Sequence, residues 1–382
     1  MRAIIIGAGI GGLTTAIALK QQGIEYDVYE AAPELKEIGA GIWVPTNAMN
    51  VFERLQIAAK VRDNGKLMEK ISVGNAQGRI FQTVTAAEVI PIFGNGTTTI
   101  HRGKLQALLR DELDPALVHT RKRFVRFEET SSQVTAYFED GTSVTGDVLL
   151  GADGLRSAVR RQLFGEMPLR YSGQTCWRAA THFRLPEHLS TEMRELWGKG
   201  NGLRFAYSQM TDEQVYFYCT VASAAGGKDV PGELKRTLQE QYAMFGPLAH
   251  EIIESAEESQ IIRTDLYDLK PMPEWVKGKV ALLGDAAHAT TPNLGQGGAQ
   301  AVEDGYVLGL CLTQSSDVEH ALRQYQSVRY DKAVEIVNRS WQYGKISNLK
   351  SPWIVALRDW LMPRLPKALS QRQLKRLYEL SY

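Results

Sequence analysis

Gly7, Gly9 and Gly12 fall in the stretch GAGIGG, directly after the apolar run Ala3 to Ile6. Directly after them, Leu13 to Gln21 repeats apolar and small residues at helical spacing, and Gly23 stops the run. This is the G-x-G-x-x-G spacing of a buried strand turning tightly into a helix. Gly7 permits the turn, Gly9 lets a pyrophosphate reach the backbone, and Gly12 lets helix and strand pack closely. The helix N-terminus then offers free N–H groups and a positive dipole end to phosphates. A second strand, YDVYE, ends in Glu30, about 20 residues on, where a carboxylate accepts both hydroxyls of an adenosine ribose. The ligand implied is a dinucleotide with an unphosphorylated ribose, and both FAD and NAD qualify.

A second cluster, LLGDAAHATTPNLGQGG, occupies residues 282–298. The spacing predicts a buried strand from Val280 to Gly284 ending in Asp285, whose carboxylate could hold a sugar-alcohol hydroxyl. Pro292 and Gly295-Gln296-Gly297-Gly298 then form a loop with little side-chain bulk, and AQAVEDGYVLGLCL continues as a helix. Such a loop lets a flat ring lie on backbone amides, with the positive end of the helix aimed at it. A reduced isoalloxazine carries negative charge there and a nicotinamide does not, so the pattern favours a flavin. Between the clusters, DVLLGADG turns at Asp153-Gly154, and Ser157 and Arg160 follow on the first helical turn, placing a cation near phosphates.

A chain of 382 residues exceeds one ordinary core, so two domains or one with an insertion is expected to position these motifs. Forty-four basic against 43 acidic residues leave a net charge of +1, a poor match to nucleic acid or acidic membrane. Three scattered cysteines, without C-x-x-C spacing, fit a reducing cytoplasm, and no stretch is apolar enough to span a membrane. The seven histidines show no metal spacing, so no metal is expected, and His288 reads as a structural residue of the flavin loop. Residues 171–265 are strand-rich, with the hairpin LRFAYSQMTDEQVYFYCTVA and the helical stretch ELKRTLQEQYAMFGPLAHEIIESA. Period two puts Arg204, Ala206 and Ser208 on one face and Tyr216 and Tyr218 on one face of the partner strand. Trp177 and Arg178 are further candidates for substrate contact. The tail is amphipathic, and Trp353, Leu357, Trp360 and Leu361 are expected to pack on the body of the protein rather than on a membrane.

GAGIGGL with Glu30, LLGADGLRSAVR and GDAAHATTPNLGQGG together resemble the motif trio of the single-component FAD-dependent aromatic hydroxylases, the para-hydroxybenzoate and salicylate hydroxylase group. The resemblance implies an α/β fold: a Rossmann-like FAD-binding domain, an inserted α+β substrate domain and C-terminal helices. The expected boundaries are 1–70, 99–170 and 266–345 for FAD, 71–98 and 171–265 for substrate, and 346–382 for the tail. It also implies that Gly9, Gly11, Glu30 and Ala31 hold the ADP half of FAD, with Arg102 and Val125 contacting it from the side. Asp285 with Gly295, Gln296, Gly297, Gly298 and Ala299 would hold the ribityl chain and flavin, and Asp153 and Arg160 would serve FAD and transient NADPH or NADH.

Arg204 and Tyr216 match, in spacing, a substrate-contacting pair of bacterial FAD-dependent urate hydroxylases of this group. Those enzymes carry an acidic residue where this chain has Asn293, and an amide cannot act as a general base near neutral pH. The P-N-x-G-Q-G-G form is closer to salicylate hydroxylase-like and zeaxanthin epoxidase-like members. The activity implied is NAD(P)H-consuming hydroxylation of a small aromatic or heteroaromatic compound by O2 through a flavin C4a-hydroperoxide. Epoxidation, urate hydroxylation, a reductase without oxygen insertion and a non-catalytic regulatory protein remain alternatives.

Overall fold

The computed structural model describes residues 1–37, 39–364 and 367–382. The first apolar run forms strand Arg2–Ile6, at the middle of a sheet in which Val280–Leu282, Val148–Gly151, Arg2–Ile6, Glu25–Tyr29 and Val118–His119 lie parallel in that order. Val276–Lys277 adds an antiparallel edge. Ile4, Ile5, Leu149, Leu150 and Ala281 are fully buried, which is why these strands read as continuous apolar runs rather than alternating ones. The second-cluster strand ends at Leu282, and Asp285 opens the short helix Asp285–His288, so the carboxylate belongs to a helix start instead of a strand end.

Helix Ile10–Gln21 packs along helix Gly297–Gln314 through a seam of small residues. A Cβ on Gly11 would lie 3.0 Å from the Ala301 methyl, one on Gly305 2.8 Å from Thr15 N, and one on Gly309 2.9 Å from the Ala18 methyl. The recurrence of small residues every four positions in the second helix brings the two helices close enough for both N-termini to open on the same cleft.

A seven-stranded sheet covers that cleft, ordered Ile262–Leu269, Leu169–His182, Gln214–Ala222, Arg204–Gln209, Glu192–Trp197, Lys70–Asn75 and Ile80–Thr85. Its alternation divides the labour. Phe205 and Phe217 face outward under helices Leu234–Tyr242 and Pro247–Glu254, in a core with Leu238, Tyr242 and Ile252. The residues between them, Arg204, Tyr216 and Tyr218, face the cleft. Smaller three-stranded sheets are built from residues 124–146 and from Gly41–Val44, Lys66–Leu67 and Thr98–His101.

The tail departs from expectation. Helix Pro352–Leu361 docks through Val355 and Arg358, whose guanidinium lies 4.8 Å over the Trp197 ring. Trp353 is 86% exposed, and Leu357, Trp360 and Leu361 are exposed with it, because the helix is turned so that its polar-looking Arg358 side seats on the roof sheet. Among the described residues no helix is long and apolar enough to cross a membrane.

Candidate active site

The cleft between the parallel sheet and the roof encloses about 360 Å³. Its floor is made by the two glycine clusters. Gly7 has φ +106° and a Cβ there would lie 2.4 Å from Ala152 O, while a Cβ on Gly12 would lie 2.0 Å from Gly7 O. These two glycines are internal to the turn and do not reach the cleft. At Gly9 a Cβ would meet nothing within 4 Å, so the backbone there faces open space. Helix Ile10–Gln21 has no side-chain cap and no acidic residue in its first turn, and the same holds for helix Gly297–Gln314. Two sets of unsatisfied N–H donors and two positive dipole ends therefore open on one cavity.

Gly295 takes φ +62° to end the turn Pro292–Leu294, and Gly297 and Gly298 continue the floor beside it. Pro292 lines the cleft as well. Gln296 and Ala299 lie buried beneath the loop, and the Gln296 amide is paired with that of Asn47 at 3.0 Å. Asp285 and Arg102 reach the cavity with no hydrogen bond or ion pair to their side chains among the described residues. The surrounding protein raises the Asp285 pKa, against the pull of His288, Arg102 and Arg160. Burial and the neighbouring Arg178 lower that of Arg102, and Asp285 opposes them. A floor of bare amides, one open cation and one open carboxylate fits the pyrophosphate, ribityl hydroxyls and ring of a flavin dinucleotide.

The residues behind this floor are bound to one another. The Glu30 carboxylate accepts from Ala8 N and Ala32 N, each at 2.8 Å, bracing the first turn with Ala31 beside it. Asp304 accepts from Gly284 N at 2.9 Å and from Arg329 Nε at 2.8 Å, and His288 Nε2 lies 2.6 Å from it. Burial would raise the Asp304 pKa, but His288 and Arg329 together hold it down at about 2. His288 is thus a structural partner of Asp304.

Three expected cofactor contacts do not line this cleft. Asp153 caps helix Ala158–Phe164, accepting from Ala158 N at 2.7 Å and from the Ser157 hydroxyl. Arg160 donates to Ala286 O at 2.9 Å and Leu155 O at 2.7 Å, tying that helix to the flavin loop. Val125 is 55% exposed on the outer strand Phe124–Glu129, away from the cleft, where a shift in the pairing register leaves it without a partner.

On the roof, Arg204 is 1% exposed and each of its three guanidinium nitrogens has a partner. Its Nη2 donates to Asn293 Oδ1 at 2.7 Å, Nε to Thr220 Oγ1 at 3.1 Å, and Nη1 lies 3.5 Å from Glu195 Oε1. Glu195 also accepts from Tyr218 Oη at 2.5 Å and Trp197 Nε1 at 2.6 Å. Burial alone would lower the Arg204 pKa, and the Glu195 charge holds it above its ordinary value. Asn293 completes its own set by donating to Thr291 Oγ1 at 2.9 Å and Ser340 O at 3.0 Å. Gly344 makes room for it, since a Cβ there would lie 2.7 Å from Asn293 Nδ2.

Tyr216 and Tyr218 form an aromatic wall with Trp43, whose ring centroid is 5.7 Å from each. Trp43 and Gly41 carried no signal in the sequence. Their role depends on the roof: a Cβ on Gly41 would lie 2.3 Å from Tyr216 Cγ, so the strand must be bare where the tyrosine ring rests.

The sequence profile of the FAD binding domain family matches residues 1–340. The chain belongs to this family. It is 36% identical over 368 residues to the aurachin C monooxygenase/isomerase of Stigmatella aurantiaca, covering 96% of this chain and 94% of that protein. It is 34% identical over 366 residues to an FAD-dependent urate hydroxylase of Klebsiella pneumoniae, covering 94% and 95%. The solved structure of Klebsiella pneumoniae HpxO complexed with FAD and uric acid superposes with a TM-score of 0.89 at 31% identity, covering 98% of this chain and 95% of that one. This member of the FAD binding domain family is accordingly a flavoprotein, an oxidoreductase of the FAD-dependent monooxygenase group.

Proposed function

We propose that this flavoprotein hydroxylates a small aromatic or heteroaromatic ring, consuming NADPH or NADH and O2. The observation that supports this best is that the two halves of the site share one cleft. The aromatic wall of Trp43, Tyr216 and Tyr218 lines the same cavity of about 360 Å³ as the uncapped N-terminus of helix Gly297–Gln314, so a flat substrate ring and a flat cofactor ring would meet there. FAD, when bound, supplies the redox chemistry that splits dioxygen between the ring and water.

The chain's own residues bind, orient and exclude water. Gly9 and the first turn of helix Ile10–Gln21 offer amides to the pyrophosphate, with Arg102, unpaired among the described residues, as a cation in the same cleft. Asp285 offers its carboxylate to ribityl hydroxyls, and the positive end of helix Gly297–Gln314 stabilises negative charge on the ring system beside it. Burial pushes the Tyr216 phenol above its ordinary value, so its hydroxyl stays neutral and able to donate to a substrate oxygen. Asp285 on the floor is the one carboxylate among the described residues lining the cleft, so the reacting ring must bring its own electron density. The three cysteines are buried free thiols, in keeping with a reducing cytoplasm.

The test is NAD(P)H oxidation by the purified yellow protein across phenols, hydroxybenzoates, purines and quinolones under isotope-labelled dioxygen. One labelled oxygen in a ring product is expected. A saturated organic product without label would instead identify a reductase.

A further inference from the structure

Among the described residues, four charged side chains line the cleft: Arg102, Arg178, Arg204 and Asp285. Arg204 is neutralised within the roof by Glu195, and Arg102 and Asp285 influence each other at the cofactor floor. Arg178 is different. It stands on strand Leu169–His182 opposite Tyr218, and its Nη2 donates to Thr264 Oγ1 at 2.7 Å. Its Nε is buried with no hydrogen-bond partner, and among the described residues no carboxylate lies within ion-pair distance of the guanidinium. Leaving a cation in such a place is costly unless something completes it.

Its neighbours in the roof half do not complete it. The Cys176 thiol is held neutral by burial, and the Asn293 amide is closed by Arg204, Thr291 and Ser340. Tyr216 is close enough to feel the Arg178 charge, lines the same cavity and, unlike Tyr218, makes no hydrogen bond through its hydroxyl among the described residues. The substrate half thus keeps two donors in reserve, one of them charged, and no anion.

We infer that Arg178, together with the Tyr216 hydroxyl, receives an anionic oxygen of the substrate, so that the ring is bound through a carboxylate or an ionised ring hydroxyl. This rests on the hydroxylase reading for calling that ligand a substrate. It also reverses the roles of the two roof arginines: Arg204 is a positioning residue that fixes Asn293 and Glu195, and Arg178 is the one that meets the ligand.

The test is calorimetric titration of the FAD-loaded protein with two matched pairs, salicylate against its neutral amide and urate against neutral hypoxanthine. Unmodified protein, Arg178→Gln and Arg178→Lys are compared, with flavin content measured in each. At least one anion should bind ~10-fold or more tightly than its neutral partner. Arg178→Gln should remove ~10-fold to ~100-fold of that anion's affinity with flavin content unchanged, and Arg178→Lys should restore part of it. Preference in the salicylate pair identifies a carboxylate, and preference in the urate pair a ring oxyanion. Equal binding of anion and neutral partner, binding of neither anion, or an undiminished preference in Arg178→Gln overturns the assignment, as does loss of FAD from that variant. If Arg178→Gln does not fold, Arg178→Lys decides, because it keeps the charge and loses the planar fork. An anion preference that Arg178→Gln abolishes, with no labelled product from any ring, would keep this site and remove only the hydroxylase reading.

Discussion

The floor of the cleft and its roof treat polar groups in opposite ways. On the floor, helix N-termini, Asp285 and Arg102 face the cavity without side-chain partners among the described residues, and the turns behind them are tied down by Glu30, Asp304 and Arg160. On the roof, Arg204, Glu195, Asn293, Thr220 and Tyr218 satisfy one another, while Arg178 and Tyr216, which line the cleft, keep spare capacity among the described residues. A tightly held cofactor needs many open donors on a rigid base. A ring that enters and leaves needs a shaped wall and few fixed contacts.

The contrast can be broken in graded steps. The largest effect is expected at Gly12→Ala, whose methyl would meet Gly7 O at 2.0 Å: the protein should be recovered without flavin or not at all. Gly9→Ala, with open space around it, should fold normally and bind FAD more weakly. The ratio of flavin to protein absorbance separates the two, and equal behaviour would refute the division between packing and ligand-facing glycines.

Next comes Arg204→Met, which leaves the Glu195 carboxylate buried without its cation and should destabilise the fold by about 3–5 kcal/mol. Urea unfolding of the holoprotein measures it, and a change below about 1 kcal/mol would mean that the roof is not locked as described. Asp285→Asn should behave in the reverse manner. Its raised folded-state pKa means that ionisation of Asp285 disfavours the empty fold at neutral pH, so the variant should be at least as stable without FAD. Removing the charged acceptor should weaken FAD binding by roughly 1.5–3 kcal/mol, read by fluorescence titration of the flavin-free protein.

The smallest effect is the pH response of Asp304. Its pKa is depressed from 3.8 to about 2 in the fold, so its contribution is complete above 3.8 and is lost as pH falls through about 2. That contribution is roughly 2 kcal/mol, and the slope of stability against pH in this window should flatten in Asp304→Asn. An unchanged slope would show that the His288 and Arg329 partnership does not set the acid stability.

The cofactor half was the more legible in the sequence. Gly7, Gly12 and Gly295 are demanded by backbone geometry or close packing within a few residues, and that demand is written locally as glycine, whereas Gly9 is extended with open space beside it. The small-residue helix seam was visible as composition, though its partner was not. The structural roles of Asp153 and Arg160 were not legible because a capping carboxylate and a carbonyl-binding guanidinium use the same residue types as a phosphate site. Only distance to Ala158 N, Ala286 O and Leu155 O tells them apart. The tail was misread because amphipathic spacing marks two faces of a helix without saying which one docks, and the structure docks Val355 and Arg358.

The sequence by itself pointed to a flavin dinucleotide and to the two glycine turns as candidates to hold it, since a turn and its helix constrain only neighbouring residues. It also determined, by period two, which strand faces could see a substrate. Which charges remain available to that substrate was decided by tertiary structure alone. Arg204 is neutralised by Glu195 from a neighbouring strand and closed by Asn293 from the flavin loop, and Arg178 has no such partner among the described residues. A side chain's spare hydrogen-bonding capacity depends on what the fold brings within about 3 Å of it, and that distance is not encoded in the residue type.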